Sequence, residues 1–591
     1  MCNRLLTPGS AAAQQGTIPV ALRTGIAMEK SGQFATLIVK MCARLTKSVT
    51  FTTCNQEDLP MRLQTRALGL LAASAALVSA CSSNESVTPS SADGEPMALA
   101  LTSGSSAGTP RFLVQLAEGT PFGPGSAIAA VGTVLDVMPA INAIEVQSSN
   151  VDALRATAGV KVVEPSFEFL IETRQGDGIV PQGGAQPQNA LPVGINQSSA
   201  PFFASGIQWD KRAIRVNEVW STTNGGQGTK ACVIDSGIDP THQETDGMIA
   251  NDTSFFSNSP TARDSNGHGT HVATTIAAKG VAMASVAPNA RLMTAKVFSA
   301  TGGTPVARVV NAITWCTDRG AHVINMSLGG IRYYQPVSGG NDFINYNAAV
   351  QYARNAGVVV VASAGNSNIR LQPLVGRTLV LPAQIPGIVT VGATGPLSRV
   401  GLWPVDGQNR TLPLTVLSQP VKWDPTMASQ VWFGPDGKAF YSNFGDGVTV
   451  FAPGGRGSVP AGYVNRIMTD AAGARVQQVG SAYDNIIAAC SRWATYTGWQ
   501  NVGGDIGASQ VCRSATTATT ARYAILAGTS MAAPQVSGLA AILYGELGGV
   551  RSTANRAKVE QCLRATDNVG PSSTFGGGRI NAVKAVACVR S

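Results

Sequence analysis

The sequence predicts an α/β protein with a doubly wound, mostly parallel sheet flanked by helices and preceded by a small α+β domain. Short, continuously apolar segments recur along the chain, as expected of parallel strands that are covered on both faces. They occupy residues 231–234, 291–298, 322–328, 358–362, 388–393 and 448–451. Between two of these segments, apolar residues repeat at helical spacing and predict a covering helix: Val306, Val309, Val310 and Ile313. Strands that alternate with helices favour the doubly wound arrangement.

The small α+β domain is predicted over residues 111–170. Three strand patterns lie at Arg111–Leu116, 141–146 and Val160–Pro165, with a short helix at 151–158 before the last strand. The pattern alone leaves open whether this segment serves the larger domain or is an unrelated module.

The remaining chain divides by composition. Residues 171–205 are rich in Gln, Gly, Pro, Ser and Asn, which predicts a linker in which a protease could cut. The larger domain then covers residues 206–591. Two Gly-, Pro- and Thr-rich stretches at about 395–438 and 456–521 are predicted as long loop insertions.

Composition limits the function classes. Of 591 residues, 44% are hydrophobic and 13% are charged, so the chain can bury a large core and global disorder is excluded. The net charge is +9, but residues 1–80 hold 8 Lys/Arg and 3 Asp/Glu, which is +5 of that total. The rest is spread thinly, without a Lys/Arg run, and we expect no binding to nucleic acid.

A targeting segment begins at Met61. Arg62 and Arg66 precede an apolar run at 68–78, which is too short to span a bilayer, and a small-residue site precedes Cys81. This form predicts an exported protein that acts outside the cell or at the cell envelope.

Cys81 leaves two interpretations of that signal. A bacterial lipoprotein signal, in which Cys81 is lipidated and residues 82–110 form a flexible tether, is favoured over ordinary cleavage after Ala80. Such a lipid would be the only membrane attachment, with the outer membrane as one destination. Residues 1–60 are interpreted as an extension that arises from a start assigned upstream of the true start at Met61.

An exported chain can form disulfides. Cys490 and Cys512 bracket one insertion, and Cys562 and Cys588 bracket the last helices, so both are disulfide candidates. Cys232 and Cys316 are predicted as two buried thiols in preference to a bridge, because connectivity does not follow from sequence. The cysteine and histidine spacings predict no metal site.

Three short motifs carry the chemistry. Asp235 lies in Ile-Asp-Ser-Gly, His268 in His-Gly-Thr-His-Val-Ala, and Ser530 in Gly-Thr-Ser-Met-Ala-Ala-Pro. A serine hydroxyl becomes a good nucleophile when an imidazole removes its proton, and a carboxylate fixes the tautomer of that imidazole. The order Asp, His, Ser differs from that of chymotrypsin-like chains and of α/β-hydrolases.

These residues and their flanks resemble the subtilisin-like serine proteases. The resemblance implies the subtilisin-like fold, hydrolysis of peptide bonds by Asp235, His268 and Ser530, and protein or peptide substrates. Residues 111–170 are similar to the inhibitory propeptide of such precursors. We therefore expect a self-processing precursor whose own propeptide is a partner, and a monomer.

The resemblance extends to the substrate-binding groups. Asn366, after a valine-rich strand, matches the residue that forms the oxyanion hole with the backbone N–H of the serine. Two segments match the edges that pair with extended substrates: Gly302, Gly303 and Thr304, and Ser327, Leu328 and Gly329. Backbone pairing of this kind implies broad specificity.

Two positions depart from the family pattern. Thr274 stands where relatives usually carry Gly, so we expect altered packing beside His268. The loop that often binds calcium is reduced around Lys279, although Glu244 occupies a position that often ligates the ion. We expect no required cofactor, and any structural calcium would lie elsewhere.

Alternative interpretations remain at this point. His271 could pair with His268 as metal ligands, but without a third ligand it is predicted as a structural neighbour. A catalytically silent, lipid-tethered surface binding protein of the same fold is the alternative function. A maturation protease dedicated to one surface partner would share the chemistry and differ only in its substrate.

Overall fold

The computed structural model describes residues 109–171, 174–179, 196–204, 208–256, 261–333, 343–372, 378–396, 403–404, 436–439, 441–456, 466–469, 475–478, 485–494, 522–568 and 576–591. The predicted extension, signal and lipidation site at Cys81 lie outside these residues, as do Cys512 and most of both insertions.

The strands are β1 Arg111–Leu116, β2 Thr133–Met138, β3 Ala143–Gln147, β4 Val160–Pro165, β5 Glu168–Leu170, β6 Arg174–Ile179, β7 Lys230–Asp235, β8 Ile249–Ser254, β9 Arg291–Lys296, β10 Gly303–Pro305, β11 Val323–Met326, β12 Gly330–Tyr333, β13 Val359–Ser363, β14 Thr378–Leu381, β15 Val389–Pro396, β16 Trp403–Pro404, β17 Asp436–Lys438, β18 Val450–Pro453, β19 Arg466–Thr469, β20 Arg475–Gln478, β21 Ile486–Cys490, β22 Arg522–Ala527, β23 Thr566–Asp567 and β24 Arg579–Ile580. The α-helices are α1 Ala127–Val131, α2 Val151–Ala156, α3 Pro201–Ala204, α4 Trp209–Ala213, α5 His268–Ile276, α6 Val306–Asp318, α7 Ile344–Asn355, α8 Thr529–Glu546, α9 Thr553–Leu563 and α10 Ala582–Arg590; 3₁₀ turns lie at Pro139–Ile141 and Val216–Glu218.

The central sheet confirms the predicted fold class. In the described residues its order is β23-β24-β18-β15-β13-β11-β7-β9-β8, and β17 pairs with β15. The neighbours from β18 to β8 in this order are all parallel. At one edge β23 pairs antiparallel with β24, and β17 pairs antiparallel with the last residues of β15. Each of the six apolar runs of the sequence forms one of the parallel strands.

Alternate side chains of the sheet enter two separate cores. Val233, Val323 and Val359 pack on one face with α5 and α8, whereas the next residues along these strands pack on the other face with α6 and α7. Helix α8 is buried over its whole length up to Gly545, so it is the central helix of its layer. Both faces are therefore covered, as the continuous apolar strands require.

The N-terminal domain contains one helix, α1, and two strands, β2 and β5, more than predicted. Its antiparallel sheet has the order β2-β3-β1-β4, with α1 and α2 as the two crossovers. Helix α1 has only five residues, too few for a helical period, and β2 is mostly half-exposed, which weakens its apolar alternation. For these two reasons the sequence pattern missed α1 and β2.

This domain packs on the outer helices of the larger domain. Leu113, Met138 and Phe169 share one apolar cluster with residues of α6 and α7. The carboxylate of Glu164 on β4 accepts a hydrogen bond from the backbone N–H of Asn345, 2.7 Å away, in the first turn of α7. A negative group at a helix N-terminus is favourable because the first N–H groups there lack helical partners.

Part of the predicted linker belongs to the packed larger domain. The buried side chain of Gln197 donates to the carbonyl of Ala278 at 2.6 Å and accepts from the N–H of Ser285 at 2.7 Å. Helix α3, with buried Phe203, follows directly. The predicted linker 171–205 therefore overlaps this packed segment.

The disulfide-bonded cysteines of the described residues compare differently with prediction. Cys562 and Cys588 are bonded as proposed, and Cys490 is also disulfide-bonded, although its proposed partner Cys512 lies outside the described residues. Cys232 on β7 and Cys316 on α6 form a disulfide, so the prediction of two buried thiols is wrong. The two lie 84 residues apart in sequence, and only the packing of α6 on the sheet brings them together.

The Glu244 side chain is hydrogen-bonded to the loop after Lys279, the loop at which the sequence predicts no calcium site. Its buried carboxylate accepts backbone N–H bonds from Gly280, Val281, Ala282 and Met283 at 2.7–3.1 Å. The phenol of Tyr523 donates to the same carboxylate at 2.9 Å. Burial, together with the Glu244 charge, raises the pKa of Tyr523 well above its ordinary value, so the phenol keeps its proton.

The described residues contain neither a helix suited to a membrane nor a cluster of metal-ligand side chains. No helix among them has the length and apolar character needed to cross a membrane. Within the same residues, no three His, Cys, Asp or Glu side chains cluster as metal ligands would.

We predict that Glu244→Gln lowers the free energy of unfolding by at least ~2 kcal/mol. The backbone N–H groups would lose a charged acceptor, and some of them would face the NH₂ group of the glutamine, which cannot accept their hydrogen bonds. Urea unfolding in a Ser530→Ala background, which limits self-digestion, measures the change. Glu218→Gln is the matched control: Glu218 pairs with Arg215 at the surface, and its loss should cost less than about 1 kcal/mol. Equal effects of the two substitutions would contradict the assigned role of Glu244.

Candidate active site

Asp235 and His268 meet at the carboxyl edge of the parallel sheet, where ligands bind in doubly wound folds. Asp235 is the last residue of β7, and His268 is the first residue of α5. The His268 Nδ1 lies 2.8 Å from Asp235 Oδ1 and 3.0 Å from Oδ2, and both side chains are fully buried. This contact orients the imidazole through Nδ1, so Nε2 is the ring nitrogen that does not contact Asp235.

A third carboxylate, that of Asp264, holds the two loops together. Asp264 accepts from the Ser236 hydroxyl at 2.8 Å, from the Gly267 N–H at 2.8 Å and from the N–H of Thr270 at 2.9 Å. The Ser236 hydroxyl in turn accepts from the N–H of Gly269 at 2.9 Å. Sequence analysis missed Asp264; its signal was an Asp that precedes an Asn-Gly turn and the helix start at His268.

Two glycines allow these loops to touch. A Cβ on Gly269 would lie 2.1 Å from the carbonyl oxygen of Gly237, and one on Gly237 would lie 2.3 Å from that of Ala262. Gly237 also has a φ of +109°, which L side chains rarely adopt. The motifs around Asp235 and His268 therefore need Gly at these positions for steric reasons.

Lys296 is a second residue that the sequence analysis missed. Its buried ammonium donates to the backbone carbonyl of Ser236 and, at 3.0 Å, to the hydroxyl of Ser265. Burial lowers the pKa of Lys296, while the nearby charges of Asp264 and Asp235 oppose that shift. The ammonium therefore places a positive charge beside two buried carboxylates.

Ser530 lies in the first turn of α8, and a proline fixes its surroundings. Pro534 has no N–H to donate to the carbonyl of Ser530 one turn earlier. The hydroxyl of Ser327 donates to that carbonyl instead, at 2.8 Å, and itself accepts from Asn325 Nδ2 at 3.0 Å. Asn325 Oδ1 accepts from the Ser537 hydroxyl at 2.8 Å, which completes a buried chain between β11 and α8.

The structure does not join the Ser530 hydroxyl to the imidazole. The Ser530 Oγ donates to the carbonyl of Ser327 at 3.3 Å, and within the described residues the buried Nε2 of His268 has no hydrogen-bond partner. Hydrogen bonds of catalytic groups are often long or absent without substrate.

Asn366 lies against the same helix start. Its Oδ1 accepts from the N–H and from the hydroxyl of Thr529, each at 2.9 Å. Because both Thr529 groups donate, the atom that faces them is the carbonyl oxygen, and the NH₂ is the donor end of the amide. The Asn366 amide and the Ser530 N–H therefore both lie at the start of α8.

The two predicted substrate edges have different surroundings. Gly303 and Thr304 belong to β10, which pairs antiparallel with β5 of the N-terminal domain, and the Gly302 carbonyl accepts from the N–H of Ile171 at 3.0 Å. Ser327 and Leu328 are buried beside Ser530, and a Cβ on Gly329 would lie 3.1 Å from the carbonyl of Leu381.

His271 and Thr274 face a strand of the second insertion. The Nε2 of His271 donates to the carbonyl of Ile486 at 3.1 Å, and burial, with the neighbouring His268, lowers the pKa of His271 to about 3. The Thr274 hydroxyl accepts from the N–H of Ala489 at 3.1 Å. The Thr274 hydroxyl thus connects α5 to β21.

Comparisons of the sequence point to one class of enzyme. The profile of the Subtilase family matches residues 226–578. The chain is 27% identical to thermitase of Thermoactinomyces vulgaris over 392 residues, which cover 65% of this chain and 98% of thermitase. It is also 27% identical to the thermophilic serine proteinase of Bacillus sp. strain AK1, over 65% of this chain and 68% of that protein.

Solved structures show the same fold. Fervidolysin from Fervidobacterium pennivorans matches with a TM-score of 0.53 and 21% identity, over 81% of this chain and 61% of fervidolysin. The epidermin leader peptide processing protease of Staphylococcus aureus also gives 0.53, at 19% identity, over 82% of this chain and 99% of that one. The fold and the sequence matches together define a serine endopeptidase. The chain belongs to the subtilase family.

We predict that His271 makes the fold acid-sensitive. Its pKa of about 3 lies below the ordinary 6.5, so stability from this residue is present above pH 6.5 and is lost as pH falls towards 3. The slope reaches about 1.4 kcal/mol per pH unit. Urea unfolding of Ser530→Ala protein at pH 7, 5.5 and 4.5, with and without His271→Gln, should show a shallower decline for the glutamine variant; parallel declines would refute this.

Proposed function

We propose that this serine endopeptidase hydrolyses peptide bonds with Ser530 as nucleophile, His268 as general base and acid, and Asp235 as the group that orients His268. The observation that carries the proposal is the pairing of His268 Nδ1 with both Asp235 oxygens, while the buried Nε2 has no partner in the described chain. An imidazole held in this way can accept a proton only at Nε2.

The reaction follows from these positions. A rotation about χ1 of Ser530 would exchange the bond to the Ser327 carbonyl for one to the Nε2 of His268. Ser530 Oγ then attacks the scissile carbonyl carbon while its proton moves to Nε2, and that proton passes to the leaving amine. Water hydrolyses the acyl-enzyme in the reverse sense, and the Ser530 hydroxyl recovers its proton.

The negative oxygen of the tetrahedral intermediate needs fixed donors. In the proposed mechanism these are the NH₂ of Asn366 and the backbone N–H of Ser530. Thr529 holds the other end of the Asn366 amide, so the donor does not have to reorganise when charge develops. The N-terminus of α8 adds the favourable end of its helix dipole.

The N-terminal domain serves, in this proposal, as an inhibitory propeptide. The supporting observation is that its last strand, β5, pairs antiparallel with β10. β10 is the edge proposed to pair with extended substrates. A substrate and β5 would compete for the same backbone groups. Because the pairing uses main-chain atoms, we propose broad specificity for the mature enzyme.

Export completes the proposal. The signal form at residues 61–80 supports secretion, and Cys81 supports attachment by lipid at the cell surface. The chain needs no cofactor for this chemistry. The disulfides agree with an oxidising compartment.

We predict that Ser530→Ala lowers kcat/KM for a peptide substrate by at least ~10⁴-fold, because the nucleophile is lost while the fold remains. The precursor should also stay uncut, as seen by gel electrophoresis and intact mass. Ser552→Ala, which removes only the N-cap of α9, should keep normal activity. Processing of the Ser530→Ala chain without any other protease would rule out self-cleavage.

We predict that Asn366→Ala and Asn366→Asp both lower kcat by about 10²–10³-fold with a smaller change in KM, because both lose the donor to the oxyanion. The aspartate keeps an oxygen acceptor for Thr529, whereas alanine does not. Near-normal kcat for Asn366→Asp would show that Asn366 acts only by holding Thr529. Steady-state kinetics with a chromogenic peptide distinguish the two cases.

A further inference from the structure

The side-chain amide of Asn443 is hydrogen-bonded to the backbone on both sides of Asn366. Its Nδ2 donates to the carbonyl of Ala364, which precedes Asn366, at 2.7 Å. Its Oδ1 accepts from the N–H of Ser367 at 3.2 Å and from that of Ile369 at 2.8 Å. The Asn443 side chain is fully buried. One side chain therefore holds the backbone before and after the proposed oxyanion donor.

The partners of Asn443 determine the orientation of its amide. A backbone carbonyl can only accept and a backbone N–H can only donate, so these bonds fit one orientation of the side chain. The backbone N–H of Asn443 also donates to the carbonyl of Gly365 at 3.0 Å. A Cβ on Gly365, whose φ is +94°, would lie 2.6 Å from the Nδ2 of Asn443. The close approach of the two segments therefore requires glycine directly before Asn366.

The segment that carries Asn443 is attached to the central sheet. The N–H of Ala439 donates to the carbonyl of Ala393 on β15 at 3.0 Å, and the N–H of Ala393 donates to the hydroxyl of Ser442 at 2.8 Å. The Ser442 hydroxyl in turn donates to the Asn443 carbonyl at 2.8 Å. β15 is the parallel neighbour of β13, the strand that leads to Asn366. The position of Asn443 is therefore set by the same sheet as that of Asn366.

Lys438 attaches a residue after Asn366 to the same segment. Its ammonium donates to the Oδ1 of Asn368 at 2.7 Å and to the carbonyl of Ser442 at 3.2 Å. The N–H of Asn368, whose φ is +53°, donates to the carbonyl of Tyr441 at 2.8 Å. Asparagine tolerates this left-handed conformation better than most residues. Each of the three residues that follow Asn366 thus donates its N–H to residue 441 or 443.

The position of the Asn366 backbone matters because stabilisation of the oxyanion depends on distance. A donor must lie roughly 2.7–3.1 Å from the oxyanion, and a misplacement of about 1 Å can cost about 10²-fold in rate. Thr529 holds the oxygen end of the Asn366 amide, and Asn443 holds the backbone from which that side chain starts.

We propose that Asn443 is a positioning residue of the reaction, which aims the NH₂ of Asn366 at the oxyanion by fixing residues 364–369. The proposal rests on the proposed function, in which Asn366 donates to that oxygen. It adds a residue that does not touch the substrate and acts only through the donor.

The first experiment separates this role from a purely structural one. We expect Asn443→Leu, which keeps a similar volume and removes the side-chain hydrogen bonds, to lower kcat at least ~10-fold with less than about a threefold change in KM. Steady-state kinetics of the purified full chain with a chromogenic peptide measure this, normalised to the mature, folded fraction from intact mass and thermal unfolding. A smaller loss of kcat, or a loss that appears in KM instead, would overturn the proposal. Asn443→Ser, whose smaller side chain leaves room for water, takes its place under the same criteria if Asn443→Leu does not fold.

Asn581→Leu is the matched control. Asn581 is also buried, and its amide accepts from the N–H of Lys584 in α10 at 3.0 Å and donates to Asp567 at 3.0 Å. Its loss should lower the free energy of unfolding and leave kcat of the folded enzyme within about twofold of the wild-type value, because it removes a buried amide away from the site. An equal loss of kcat in both variants would show a general effect of removing a buried amide, and would overturn the assigned role of Asn443.

The second experiment determines whether Asn443 acts through Asn366. In an Asn366→Ala background the donor is already absent, so adding Asn443→Leu should lower kcat by less than about a further threefold. A larger further loss would overturn the proposal while the oxyanion role of Asn366 stands. Near-normal kcat in Asn366→Ala alone would instead overturn that oxyanion role, and this proposal with it.

Discussion

The buried carboxylate of Asp264 is the constraint on which the site depends. It accepts hydrogen bonds from a hydroxyl in the loop after β7 and from backbone N–H groups at the start of α5. These two segments carry Asp235 and His268. With the Gly237–Gly269 contact, it fixes the separation of the two segments before any substrate is present. Lys296 neutralises part of the resulting negative charge from within the same core.

Helix α8 makes the corresponding connection on the other side. Because Pro534 leaves the Ser530 carbonyl without its helical donor, β11 can attach to the helix start through Ser327. Thr529 attaches the strand end at Asn366 to the same turn. Ser530 is therefore positioned by the ends of two sheet strands as well as by its own helix.

The sequence predicted the features that depend on local pattern. The parallel strands, the covering helix α6 and the residues of the three motifs are all local signals, and the structure places Asp235 against His268 and Asn366 against the start of α8. What sequence missed depends on packing between distant segments. Asp264, Lys296 and the Cys232–Cys316 bridge each acquire their partners only when loops and helices meet across the sheet. The short helix α1 and the half-exposed β2 were missed because neither gives a strong periodic pattern.

The Cys232–Cys316 disulfide has a consequence for production of the enzyme. It joins the strand that ends in Asp235 to α6, the helix on which the N-terminal domain also rests. Recombinant expression in a reducing cytosol would yield a chain without this covalent link, whereas periplasmic or secretory expression allows it to form. The choice of host compartment thus decides whether purified material carries the crosslink between the aspartate-bearing strand and its covering helix.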